Sequence, residues 1–227
     1  MTACLQVLDR WMTPRNLASA GDLRCRVNDA DHVGAAHHHQ HVFKKVTPDN
    51  WAERDPINEI FAMPGKLGMR QMTGDDWAGL FLSVELAARV PEPVQHLFLA
   101  ARNMLPYGHF FYPLYTLGSE QLYRVTDAAA LRRYQDLGGP KTKRGRDRTF
   151  KVRIQWLREH GVIADEHAPQ WEGFRELRNH TTHADMQSLF TPGNAYTMLR
   201  AVAQCVSALY APPNLNADRA RLDESAG

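Results

Sequence analysis

Four side chains within six residues supply the parts that an anion- or phosphate-handling site needs: Arg178, Asn179, His180 and His183. An arginine is always charged and presents a planar fork of donors that matches a phosphate. An imidazole titrates near neutral pH and can move a proton in either direction. An amide can hold an imidazole in one orientation. Asn179 and His183 are four apart, about 40° around a helix, and so are neighbours on one face. A guanidinium, an amide and an imidazole suffice to cleave a polymer that carries its own nucleophile, as RNA does in its 2′-hydroxyl. In that chemistry His183 transfers the proton, Arg178 stabilises charge on the phosphorus oxygens and Asn179 orients His183. His180 is the nearest competitor of His183 and ranks as auxiliary.

These residues need a scaffold. Trp171, Phe174, Leu177, Thr181 and Ala184 recur at three- and four-residue steps, which predicts an amphipathic helix from Pro169 to about Leu189. A second long helix follows, with Met198, Leu199, Val202, Val206 and Leu209 on its apolar side. Thr191 is placed to cap it, and Pro212-Pro213 halts it. Arg178-Asn179, three further residues and then His183, late in a helical segment, resembles the signature of HEPN domains (higher eukaryotes and prokaryotes nucleotide-binding). The resemblance covers roughly Val94 to Tyr210. It implies an all-α antiparallel helical bundle with a metal-independent endoribonuclease site at Arg178, Asn179 and His183. It also implies a homodimer that pairs two motif helices. A second class is equally part of the resemblance: non-catalytic modules that bind RNA or a nucleotide, or that dimerise. A role as toxin or defence effector, with an antitoxin or other partner protein, follows only by analogy with such relatives.

Arg178 and His183 are five apart, about 140° around an ideal helix. The arginine wraps round, the helix distorts, or the site joins Arg178 of one chain to His183 of another. The third arrangement is the expectation and requires a two-fold dimer through the motif helix.

Upstream, Thr73 is placed to cap a helix whose first turn holds Asp75 and Asp76, with Trp77, Leu80, Phe81 and Val84 inward. Pro91 and Pro93 break it. Val94, Leu97, Phe98, Ala101 and Leu105 form the next apolar stripe. A long helix is expected from His109 to about Leu137, with Pro113 in its first turn and Phe111, Leu114, Leu117, Leu122, Val125 and Leu131 on its apolar side. Gly138-Gly139-Pro140 stops it. Glu120 interrupts that side; it is either a partly exposed helix-edge carboxylate or the group that orients the arginine or histidine of the motif. Tyr123 and Glu176 are weaker candidates for the site.

Lys141, Lys143, Arg144, Arg146 and Arg148 follow, then Lys151 and Arg153, the main cationic concentration in the chain. Such a loop is either simply solvated or attracts a phosphate backbone without regard to sequence. Phe150, Ile154 and Leu157, with Trp156 alongside, begin another helix that Gly161 closes.

Residues 1–72 form an N-terminal extension of unclear structure, residues 73–211 the helical domain, and residues 212–227 a polar tail expected to be disordered. Leu5, Leu8 and Trp11 suggest a short helix near the start. The run His37-His38-His39-Gln40-His41 lacks the converging carboxylates or thiolates of a metal site and reads as an exposed stretch with adventitious metal affinity. No metal or cofactor is expected. The 227 residues, 44% hydrophobic and 23% charged with a net charge of +2, suit an ordinary globular protein. No apolar run approaches a membrane span and no signal peptide is legible at Met1. Cys4, Cys25 and Cys205 are an odd, unpaired set, which places the expectation in a reducing cytoplasm.

Overall fold

A computed structural model of the chain describes residues 43–142, 144–181 and 189–212. They are mostly helical. A two-stranded antiparallel sheet comes first, β1 (Ala62–Gly65) and β2 (Gly68–Gln71). Six α-helices follow among the described residues: α1 (Gly74–Leu82), α2 (Glu92–Met104), α3 (Leu114–Asp136), α4 (Phe150–Glu159), α5 (Ala168–Thr181) and α6 (Pro192–Leu209). Short 3-10 turns occupy Pro56–Ile60, Leu105–His109 and Asp165–His167.

The helix starts and stops are written locally. The Thr73 hydroxyl accepts from the Asp76 N–H, and the Asp76 carboxylate accepts from the Thr73 N–H, a reciprocal cap on α1. The Thr191 hydroxyl accepts from the Asn194 N–H and starts α6. Gly138 and Gly161, with φ of 75° and 67°, adopt the left-handed conformation just past α3 and α4.

One continuous core runs from Met72 to Leu209. At its centre α3 touches α2, α4, α5 and α6. Being surrounded, α3 has no single apolar stripe. Its buried positions include Gly118, Ser119, Thr126, Ala129 and Ala130 beside Tyr115, Leu122 and Val125. Small residues let neighbours approach closely: a Cβ added at Gly118 would lie 2.6 Å from a Leu105 methyl.

This corrects several expectations. The helix expected from His109 begins at Leu114, because Leu105–His109 turns as a 3-10 helix, and Pro113 precedes the helix instead of lying within it. Leu117, expected inside, is 48% exposed, while Ser119 is buried. A long helix packed on several sides buries positions that a one-face pattern assigns to solvent. The all-α expectation omitted the hairpin. Its Gly65-to-Gly68 turn closes on two residues, and β2 is exposed along its whole length, so no alternating pattern betrays it. The motif helix is helical to Thr181, residues 182–188 lie outside the described residues, and Leu189 is not helical. Residues 1–42, including Leu5, Leu8, Trp11, Cys4, Cys25 and the histidine run His37–His41, lie outside the described residues, as do Lys143, His183, Ala184 and the tail from Pro213.

Residues 55–61 dock on the helices through buried polar groups. The Asp55 carboxylate accepts from the backbone N–H groups of Ile57 (3.1 Å) and Tyr112 (2.9 Å). The Asn58 amide donates to the carbonyls of Gly108 (2.8 Å) and His109 (3.0 Å). The Asp55 N–H donates to the His109 carbonyl at 2.9 Å. Both Asp55 and Asn58 are fully buried. Phe61 then packs against Trp77 and Tyr112. Cys205 is buried as a free thiol, and burial pushes its pKa up to about 12.

His109 sits at this junction, 8% exposed. Burial, and then the nearby Arg54 cation, hold its imidazole below the ordinary histidine range. The unfolded chain takes up a proton near about pH 6.5, whereas the folded chain resists it. The contribution of His109 is therefore intact above that pH and lost as pH falls through it. The melting temperature should drop between about pH 7.5 and about pH 5.5, and His109→Gln should flatten that drop. A pH slope unchanged by the substitution contradicts the assignment.

Candidate functional site

Arg178 lies on α5, one residue after Leu177, whose side chain is buried with Trp171 and Phe174 in the core. That register puts Arg178 at the edge of the packed face. Its side chain is 43% exposed. Its Nη1 lies 3.5 Å from Oδ1 of Asp127 on α3, an ion-pair distance. Its guanidinium carbon stands 6.0 Å from the centre of the Phe150 ring.

A second arginine shares both partners. Arg153 on α4 donates from Nη2 to Asp127 Oδ1 at 2.9 Å and from Nη1 to the Asp127 carbonyl at 3.2 Å. Its guanidinium also stands 6.0 Å from the Phe150 ring centre. The Arg153 side chain is 7% exposed. Phe150 opens α4 and is itself buried.

The geometry follows from helix periodicity. Phe150, Arg153, Ile154 and Leu157 share the inward face of α4. A guanidinium on that face must find a carboxylate, and α3 supplies one. Two permanent cations then converge on one carboxylate, and the more exposed of the two is Arg178. The aromatic ring beneath both guanidiniums adds cation–π attraction without neutralising either. The result is a partly exposed cationic edge at the junction of α3, α4 and α5.

The other expected site residues fall as follows. Asn179 is exposed on α5, one position from Arg178. His180 belongs to α5, but its side chain, like His183, lies outside what is described. Glu120 is half-buried on α3, and burial raises its carboxyl pKa. Among the described residues no cation lies within ion-pair distance of Glu120. It lies two turns before Asp127 on the same side of α3, about 10 Å along the axis. The carboxylate at ion-pair distance from Arg178 is Asp127, while Glu120 sits half-buried at the edge of α3. Tyr123 is buried on the same stripe between them. Glu176, half-buried on α5, lies near enough to Arg175 to favour its charged form.

The cationic loop leads straight into this edge, since Arg148 stands two residues before Phe150. Lys141, Arg144 and Arg146 are exposed and Arg148 is half-buried. Among the described residues none of the four has an acidic partner within ion-pair distance. Thr142 shapes the loop: its hydroxyl accepts from the Arg146 N–H at 2.9 Å, and its own N–H donates to the Arg146 carbonyl at 2.9 Å. Gly145, at φ 72°, makes the turn between them. Gln135 of α3 donates to Asp147 at 3.2 Å and pins the loop to the end of that helix.

Asp127 and the aromatic floor of Phe150 were not singled out from sequence, and Arg153 counted only as one of several cations. The signal was an arginine at the i, i+3 position from Phe150 on an apolar helix face, where a buried charge demands a partner. Among the described residues no group of three or more His, Cys, Asp or Glu side chains is placed to hold a metal ion.

No family model, curated protein or solved structure matches the chain.

The unequal burial of the two arginines yields a stability test. Asp127→Ala leaves the Arg153 guanidinium buried without its carboxylate and should cost on the order of 3 kcal/mol. Arg178→Ala removes an exposed partner and should cost no more than about 1 kcal/mol. Denaturant unfolding of both variants checks the order; equal losses would mean that Arg178 and Arg153 do the same structural job.

Proposed function

We propose that the protein is a metal-independent endoribonuclease of the HEPN kind, an antiparallel helical bundle that works as a homodimer through its motif helices. The 2′-hydroxyl of the RNA attacks the adjacent phosphorus. His183 moves the proton, Arg178 binds the phosphate oxygens, and Asn179 orients His183. The cut leaves a 2′,3′-cyclic phosphate on one fragment and a free 5′-hydroxyl on the other.

The observation that carries this reading is the position of Arg178, half-exposed and held against Asp127 beside a cationic loop. Its guanidinium is half-exposed and meets the same carboxylate as the buried Arg153, and Arg148 of the cationic loop stands two residues before Phe150, the ring beneath both. Arg153 takes the shorter, doubly bonded share of Asp127, and Arg178 is held 3.5 Å from the same carboxylate. A phosphodiester arriving along the loop meets a fixed cation, which is what stabilising a charged transition state requires.

A second reading draws on the same ion pair. Arg178 at 3.5 Å from Asp127 also suits a module that binds RNA or a nucleotide without cutting it, with Arg178 a structural member of the α3–α5 junction.

Purified protein incubated with single-stranded and transfer RNA in EDTA separates the two. Under the ribonuclease reading wild type cleaves to cyclic-phosphate ends, while His183→Ala and Arg178→Ala each lose about 10²-fold or more in rate. Sedimentation should show a dimer. Binding without cleavage supports the module. Cleavage that depends on added divalent metal overturns the mechanism.

A further inference from the structure

The outer face of α4 carries a feature that the phosphate chemistry does not use. A shallow depression of about 320 Å³ is lined by Lys151, Val152, Gln155, Trp156 and Glu159. Val152 is 44% exposed. The Trp156 indole is half-buried and held on two sides. The His160 imidazole stacks on it with centroids 3.8 Å apart, and Tyr134 meets it edge to face at 5.0 Å. The His160 ring is fixed in turn by Nδ1, 2.8 Å from the Trp156 carbonyl. A large aromatic group has thus been immobilised beside open solvent.

The cationic loop borders this depression at both ends. At its start, Tyr134 donates from its hydroxyl to the Pro140 carbonyl, and Gly139 packs so tightly on the same ring that an added Cβ would come within 2.5 Å. Tyr134 therefore ties the loop's first residues to the ring beside Trp156. At its finish, Thr149 precedes the first turn of α4, three residues before Val152.

We propose that this face binds single-stranded RNA, with a base stacked at Trp156 and the flanking phosphates on Lys141, Arg144, Arg146 and Arg148. The proposal rests on the RNA reading above and assigns that substrate a strand state and a contact. Fixed aromatic surface beside a row of unpaired cations is the combination that grips an unpaired strand, because every base has a π-face and every linkage a charge. The carboxylate of Glu159, bonded by Gln155 at 2.8 Å, disfavours a phosphate in the depression itself. The base goes there and the backbone follows the loop. A duplex, whose bases are stacked on each other, cannot make the first contact.

The test uses the full-length chain with His183→Ala, so that binding is read without cleavage. Anisotropy follows a labelled single-stranded RNA of about twelve nucleotides, the matching duplex and inorganic polyphosphate. Trp156→Leu should weaken the single strand about tenfold and leave polyphosphate unchanged, with Trp156→Phe restoring most of the loss. Arg144→Gln with Arg146→Gln should weaken all three and lower the salt dependence. Photocrosslinking of 4-thiouridine RNA to the His183→Ala chain with Trp156 intact should mark residues 151–160, a readout that survives if the leucine variant misfolds. The proposal is overturned if Trp156→Leu weakens RNA and polyphosphate alike, if it weakens neither, or if it changes only the oligomeric state, which would make this face a contact between copies. Failure of any RNA to bind overturns the RNA reading as well; RNA that binds equally well with and without Trp156 overturns this inference alone.

Discussion

A buried guanidinium without a partner is among the least tolerable features a core can contain, and Arg153 avoids that state through one carboxylate. The Arg153–Asp127 pair joins α4 to α3 by a side-chain bond and a backbone bond, and Phe150 closes beneath it. The orientation of α4 over α3 is fixed by that pair together with Leu157 and Ile154 in the core. Arg178 then joins the same carboxylate from α5, so three helices meet around one negative charge. A half-exposed guanidinium built into a packing contact puts a fixed cation at the surface beside it.

The opposite end of α3 is secured by different means. Phe190, buried after the motif region, donates its N–H to the Thr116 hydroxyl at 3.0 Å and returns the chain to the start of α3. Asp55 and Asn58 occupy the backbone groups of residues 108–112 just upstream. These contacts are neutral hydrogen bonds or a carboxylate bonded to N–H groups, and they satisfy buried backbone polar groups of an irregular turn. Guanidiniums and a carboxylate thus join the α3–α4–α5 junction, while side-chain-to-backbone hydrogen bonds join this end.

Hydrophobic periodicity failed where helices are covered on several sides and where small residues form the contact. Leu117 reads as core and is exposed; Gly118 and Ser119 carry no apolar signal and are buried, Gly118 against Leu105 and Ala101. The hairpin and the 55–61 segment were illegible for a related reason. Their stability comes from a glycine turn and from buried side-chain-to-backbone bonds, neither of which leaves a repeating apolar signature.

Residue order by itself determined the helical segments, their caps at Thr73 and Thr191, their stops at Gly138 and Gly161, and the inward set of α2, α4 and α6, because those depend on neighbours within one or two turns. It also brought Arg178 and Asn179 together and placed the cations of residues 141–148 in one loop. Only the tertiary structure decided that Asp127, and not Glu120, meets Arg178, that Arg153 shares it, and that Phe150 lies under both. Glu120 and Asp127 lie on one side of the same helix, two turns apart, and nothing along the chain distinguishes them. The height at which α4 and α5 cross α3 does, and that height is set by how the core packs.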